Sequence, residues 1–198
     1  MLRFFLLTMV LFSVASIGKA KDDGSQIQAG NYFPRVKIET SMGDFVIELD
    51  RSRAPISTNN FLRYVDKRSY EGTIFHRVVV DFVVQGGGYD RNFVEKPSFP
   101  QIINESGNGL KNERYTVAMA RQDDPHTANR QFFINVNDNV SLDPGKEWGY
   151  AVFGYVFEGS ETLDTISQVK TDFDPTYGWA DVPIEPIILK RASVLPQF

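Results

Sequence analysis

The sequence predicts a mainly β domain of about eight short strands and two α-helices, folded as a closed antiparallel barrel or as a sandwich. Three observations predict it. Short runs of β-branched and aromatic residues recur between residues 35 and 195, bounded by Gly, Pro, Asn and Asp. Two stretches, 54–67 and 159–169, change to helical spacing. No internal repeat and no linker divides the chain, so its 198 residues read as one domain with a sizeable core. Pattern alone leaves barrel and sandwich both open.

Arg35–Thr40 and Asp44–Asp50 alternate: Val36 and Ile38 share one face, and Phe45, Ile47 and Leu49 share one face of the next run. Ser41-Met42-Gly43 between them is short enough for a hairpin turn. In Ala54–Lys67, Pro55 suits a first helical position, and Phe61, Leu62 and Val65 make one apolar stripe. Residues 74–79 and 82–86 are two strands, stopped by Gly86-Gly87-Gly88. Gly88–Gly109 has no period and reads as a long surface connection. Thr116–Arg121 and Gln131–Val136 are strands, separated by the loop Gln122–Arg130, and a second loop covers Asn137–Gly149. Tyr150–Phe157 is a strand. Gly159-Ser160 starts the second helix, with Leu163, Ile166 and Val169 at a spacing of three. Pro175–Pro183 reads as irregular, and Ile184–Leu195 closes the chain as a strand.

The ends carry other information. Arg3 precedes an uncharged apolar run, Phe4–Ile17, and Gly18-Lys19-Ala20 supplies small residues before a cleavage point. Residues 1–20 therefore read as a secretory signal peptide, with an apolar run too short for the roughly 20 residues of a membrane span. Residues 21–33 are polar and aperiodic and read as a flexible leader; the folded domain is expected over 34–198. Residues 1–20 hold two cations and no acids, which leaves 19 Lys+Arg against 25 Asp+Glu, a net of −6. An acidic surface argues against nucleic-acid or anionic-membrane partners. The absence of cysteine excludes disulfides and thiol catalysis, and it permits an oxidising compartment without identifying one.

Phe75–Gly88, FHRVVVDFVVQGGG, organises the rest. One cation, Arg77, sits among Phe75, Val78, Val79, Val80, Phe82, Val83 and Val84. Strict alternation puts Arg77 on the face of Phe75, and His76 with Val78 on the other. Arg77 beside Phe82 and Gln85 reads either as a polar clamp in an apolar wall or as an arginine on a solvated strand face. Gly86–Gly88 opens no helix and lacks the Lys-Ser/Thr pair of a phosphate loop. His76 and His126 have no partner at ligand spacing, so no metal or cofactor is expected; His76 reads as a hydrogen-bonded core residue and His126 as an exposed loop residue.

The pattern Phe-His-Arg-Val followed by Phe-x-x-Gln-Gly-Gly-Gly resembles the signature of the cyclophilins, a family of peptidyl-prolyl cis-trans isomerases. Met119-Ala120-Arg121, Gln131-Phe132-Phe133-Ile134-Asn135, Leu142-Asp143 and Tyr150-Ala151-Val152-Phe153-Gly154 follow in the family's order. The segment Asn104–Asn112 and Arg121 after Met-Ala resemble the bacterial periplasmic branch. The resemblance covers about residues 34–195 and implies a closed eight-stranded antiparallel β-barrel capped by two α-helices. It also implies Arg77, Gln85 and Phe82 as catalytic residues. Val83, Ala120, Arg121, Gln131, Phe133, Leu142 and Tyr150 are implied as substrate-binding residues.

Several positions depart from the family pattern: Val83 stands where many relatives have methionine, Tyr150 replaces a histidine, and Ser141 replaces a tryptophan or phenylalanine. Arg130 stands where a small residue usually precedes the Gln-Phe-Phe run, and by alternation it points away from the site.

The chemistry agrees with an apolar groove and one arginine. An X-Pro bond turns slowly because amide resonance must break, a barrier of about 20 kcal/mol. The catalyst needs only to bind the twisted amide better than the planar one, so no nucleophile or cofactor is required. A guanidinium can donate to the pyramidal prolyl nitrogen while an apolar pocket holds the ring. The expected function is a periplasmic or secreted isomerase, a monomer, that assists folding of exported proteins by acting on proline-containing unfolded or flexible polypeptides. It is expected to bind cyclosporin weakly and to need no membrane after signal cleavage. The alternative is a proline-peptide binding module or chaperone with negligible catalysis.

Overall fold

The computed structural model describes residues 22–197, so the expected signal peptide lies outside the described residues. Ten strands form. They are β1 (Arg35–Thr40), β2 (Gly43–Leu49), β3 (Thr73–Val79), β4 (Val83–Asp90), β5 (Thr116–Met119), β6 (Phe132–Asn135), β7 (Val152–Glu158), β8 (Thr171–Asp174), β9 (Trp179–Pro183) and β10 (Ile187–Val194). The helices are α1 (Pro55–Asp66) and α2 (Ser160–Ser167), with one 3-10 turn at Val140–Leu142.

Eight strands close a barrel in the order β1-β10-β3-β4-β6-β5-β7-β2, every neighbour antiparallel. The side-chain period of two fills its interior: Val36, Ile38, Phe45, Ile47, Phe75, Val84, Val117, Phe132, Ile134 and Phe153 are all buried in one core. Phe61 and Leu62 of α1 and Leu163 and Ile166 of α2 join that core, so each helix covers the barrel with its apolar stripe. Pro55 opens α1 at its first turn, where a missing N–H costs nothing. No side chain of the N-cap serves the free donors there. Glu105 does so from the long 91–112 connection, accepting from the Ile56 and Ser57 backbone N–H groups at 3.0 and 2.7 Å and from the Ser57 hydroxyl at 2.7 Å.

Four expectations need correction. The leader is not free: Arg51 is 8% exposed and donates to the carbonyls of Ile27, Gln28 and Asn31 at 2.6–2.7 Å and to Asn59 Oδ1 at 2.9 Å. Gln28 also reaches the Leu195 carbonyl at 2.7 Å. An aperiodic segment can thus be held by hydrogen bonds to a buried guanidinium without an apolar stripe of its own. Next, β4 runs through Gly86–Gly88 and is not stopped by them. Pro175–Pro183 is not irregular throughout either: β8 and β9 make a separate two-stranded sheet, with Thr171 opposite Pro183 and Asp174 opposite Trp179. Its breaker residues hid it, and ring packing of Trp179 on Tyr89 holds it.

The last correction matters most for function. Between Phe75 and Arg77 the β3–β4 register slips, Phe75 pairing Gly86 while Arg77 pairs Gln85. His76 is the extra residue of a β-bulge. Phe75 and Val78 therefore both face the core, and Arg77 turns to the outer face of the barrel, opposite the side that strict alternation assigns.

Candidate active site

The bulge puts Arg77 in a row that crosses five strands on the outer face. Arg77 pairs Gln85, Gln85 pairs Phe133, Phe133 pairs Ala118, and Ala118 pairs Val152. Because Val78, Val84, Phe132, Ile134, Val117, Met119 and Phe153 beside this row belong to the barrel core, the row is a continuous outer strip, polar at the β3–β4 end and apolar at the other.

The apolar end is a second hydrophobic cluster, separate from the barrel core. Val83, Ala118, Phe133 and Val152 are its buried floor, and Val79, Phe82, Leu110, Ala120, Leu142 and Tyr150 are half-buried around it. The Phe133 and Tyr150 rings meet edge to face, 5.5 Å apart at 75°. Half-buried apolar side chains around a buried floor describe a pocket for a small apolar ring. The structure thus brings together Phe82, Val83, Ala120, Phe133, Leu142 and Tyr150, six of the expected site residues. Val79, Leu110, Ala118 and Val152 belong with them and were not singled out from sequence. Alternation of Ala118 against Val117 and Met119 was the available signal for one of them.

Gln85 and Gln131 sit at the polar end, joined by a 3.0 Å bond from Gln85 Nε2 to Gln131 Oε1. The Gln131 amide lies over Gly88, where a Cβ would stand 2.6 Å from its Nε2, and Gly87 has φ +85°. Gly88 lets the strand pass beneath the amide, and Gly87, where a Cβ would stand 3.0 Å from the Phe132 and Tyr70 rings, lets it pass the core rings. Arg121 lines a recess of about 190 Å³ with Gln85, Ala120 and Gln131. Its guanidinium donates to the Gln122, Asp123 and Trp148 carbonyls at 2.8, 3.1 and 2.9 Å and lies 4.6 Å from the Tyr150 ring centroid. Arg121 therefore braces two loops behind the recess. Arg130 does point inward, 2% exposed, and binds the carbonyls of Gly87, Pro97 and Ser69.

Arg77 keeps its side chain 38% exposed, with Nε 3.8 Å from Asp181 Oδ2 as its ion-pair partner among the described residues. His76 beside it is buried, and its Nδ1 has no hydrogen-bond partner. Desolvation first, and then the Arg77 charge, hold its pKa down to about 4, against a weaker opposite effect of the Ile74 backbone. His126 is exposed, as expected, with Nδ1 accepting the Asn104 N–H at 3.1 Å.

Sequence reading missed a set of buried asparagines behind the pocket. Asn139 Nδ2 donates to the Phe82 carbonyl at 2.8 Å and to Asn135 Oδ1 at 2.7 Å; Asn135 Nδ2 donates to Asn112 Oδ1 at 3.2 Å; Asn112 Nδ2 donates to the Leu142 carbonyl at 3.1 Å. The chain links Phe82 on one rim to Leu142 on the other, so it sets the width of the pocket.

Residues 35–194 match the family model for "Cyclophilin type peptidyl-prolyl cis-trans isomerase/CLD". The chain belongs to the cyclophilin family. A peptidyl-prolyl cis-trans isomerase of Streptomyces antibioticus is 48% identical over 164 residues, 81% of this chain and 98% of that protein. Peptidyl-prolyl cis-trans isomerase B of Escherichia coli is 42% identical, covering 80% of this chain and 98% of its own length. Among solved structures, the cyclophilin-type isomerase of Cryptosporidium parvum matches with a TM-score of 0.69 at 29% identity, over 84% of this chain and 99% of that one. The same protein in the presence of the dipeptide Ala-Pro matches with a TM-score of 0.67 at 28% identity, over 82% and 99%. The closed barrel with two helices is the cyclophilin architecture, and the protein is a peptidyl-prolyl cis-trans isomerase.

Proposed function

We propose that isomerisation runs over the outer strip of β3, β4, β6, β5 and β7, with Arg77 as the catalytic cation and the second apolar cluster as the proline pocket. The cross-strand row is the observation that carries the reading: it puts a guanidinium and an amide, Gln85, in register with the buried Phe133 floor. A proline ring over Phe133, between Phe82 and Leu142, leaves its amide toward Arg77 and Gln85. As the amide twists, its nitrogen becomes pyramidal and regains a lone pair. The Arg77 N–H groups donate to that nitrogen more strongly than to the planar one, while Gln85 and Gln131 steady the neighbouring backbone. Each 1.4 kcal/mol or so of that preference gives about tenfold in rate. The Ala-Pro dipeptide named with the Cryptosporidium relative supports proline-containing chains as substrates.

The finer reading places the mature chain in the periplasm or outside the cell, cleaved after Ala20, as a monomer that assists folding of exported proteins. It is supported by the basic start, short apolar run and small-residue ending of residues 1–20. The test of the site is Arg77→Ala in the mature chain. A lost charge-assisted hydrogen bond to a desolvated transition state is worth roughly 3 kcal/mol, so kcat/KM on an X-Pro peptide is expected to drop by at least about 100-fold. A folded Arg77→Ala protein with near wild-type activity would falsify the assignment.

A further inference from the structure

On the far side of Arg77 from the proline pocket, the hairpin β8–β9 raises a second wall over β3. A cavity of about 420 Å³ lies between that wall and the Gln85–Gln131 pair. Its walls are rings: Tyr89 and Trp179 are 4.8 Å apart at 56°, and His76 meets Tyr89 edge to face at 4.9 Å. Tyr177 stacks behind Trp179 at 5.1 Å, away from the cavity lining, and fixes its orientation. Asp181 closes one edge, its backbone in the left-handed region at φ +62° and its carboxylate 3.8 Å from Arg77 Nε.

We propose that this cavity is a specificity subsite that takes an aromatic side chain flanking the proline of the substrate. The inference rests on the X-Pro amide lying at Arg77. Arg77, Gln85 and Gln131 line both this cavity and the reaction strip, so a peptide held at Arg77 continues directly over it. Charge gives no advantage to a charged side chain: Arg77 and Asp181 already face each other at 3.8 Å, so neither is left as a free countercharge for a lysine or an aspartate. The Arg77–Asp181 pair leaves the edge neutral, and burial keeps His76 uncharged at pH 7. Tyr89 and Trp179 pack on each other as one aromatic corner, and a ring entering beside them meets a face or edge of that corner, a contact that a methyl group cannot make.

The test uses proline peptides carrying Phe, Leu, Lys, Asp or Ala in turn on either side of the X-Pro pair. Turnover is read by exchange NMR without a coupling protease. The wild type is expected to favour the Phe over the Ala peptide about tenfold in kcat/KM, on one side of the proline. Trp179→Leu, which keeps apolar bulk in the hairpin and removes the ring, is expected to bring that ratio to about one. Trp179→Phe is expected to retain most of it. A wild-type ratio near one, a preference for a charged residue, or an unchanged ratio in Trp179→Leu overturns the subsite. Failure of the site reading itself is distinguishable, because Arg77→Ala then keeps its activity on the Ala peptide.

Discussion

Arg130 offers the most quantitative test of how the polar end of the site is held. Its guanidinium is 2% exposed and has no carboxylate within ion-pair distance among the described residues; Nε donates to the Gly87 carbonyl, Nη1 to Pro97 and Nη2 to Ser69, each at 2.6 Å. The Tyr64 and Tyr70 rings lie 5.3 and 5.9 Å from it. Arg130→Met removes the donors from the buried Gly87 carbonyl and the part-buried Ser69 and Pro97 carbonyls, each costing up to roughly 1–2 kcal/mol. The released desolvation cost of the guanidinium, which burial already makes less basic, offsets part of this. The expected net loss is about 3 kcal/mol in urea unfolding. Arg130→Lys keeps the charge, but one ammonium cannot span three separated carbonyls, so about 2 kcal/mol is expected to be lost. Because Gly87 adjoins the Gly88 seat of the Gln131 amide, kcat/KM of the folded Arg130→Met protein is expected to fall several-fold, without the collapse expected of Arg77→Ala. An Arg130→Met protein within about 0.5 kcal/mol of wild type, or full recovery by lysine, would refute the three-carbonyl account.

Other outcomes follow from the same geometry. His76 titrates at about 4 in the folded protein against an ordinary 6.5, so the unfolded chain binds more protons between those values. The contribution is present above pH 6.5 and is lost as pH falls toward 4, by about 2–3 kcal/mol at pH 4.5; a stability difference between pH 7 and 4.5 that is unchanged in His76→Phe counts against it. Ser141 is exposed on the 3-10 turn beside Leu142, while the Trp148 ring packs on His126 at 5.1 Å. Ser141→Trp is therefore expected to tighten cyclosporin binding about 10- to 100-fold from a weak start, read by titration calorimetry, from partial burial of an indole. Tight binding by the wild type with no gain in the variant removes Ser141 as the determinant. Intact mass of protein from its native host is expected to show a chain beginning at or near Lys21; membrane-bound material retaining residues 1–20 would mean an anchor.

Much of this was legible in the chain because it is local. Period-two runs located the eight barrel strands to within a few residues, period 3.6 located both helices, and Phe82, Gln85, Gln131 and Phe133 carry their motif in contiguous letters. Less legible was anything that depends on a partner distant in sequence. The Asn112–Asn135–Asn139 chain reads as three polar loop residues until the loops meet. The leader reads as loose until Arg51 binds its carbonyls.

The sequence by itself determined the inner and outer faces of most strands, since alternation needs no neighbour. It determined the family as well, since ordered motifs survive without coordinates. Strand pattern leaves barrel and sandwich open and the resemblance implies the barrel; the tertiary structure shows it, because both need the same strands and differ in whether β1 finds β10 across the whole length of the domain. It alone decided where Arg77 points. Alternation predicts the face of Phe75, but the register slip at His76 inserts one residue, and with a period of two a single inserted residue reverses every side chain that follows it.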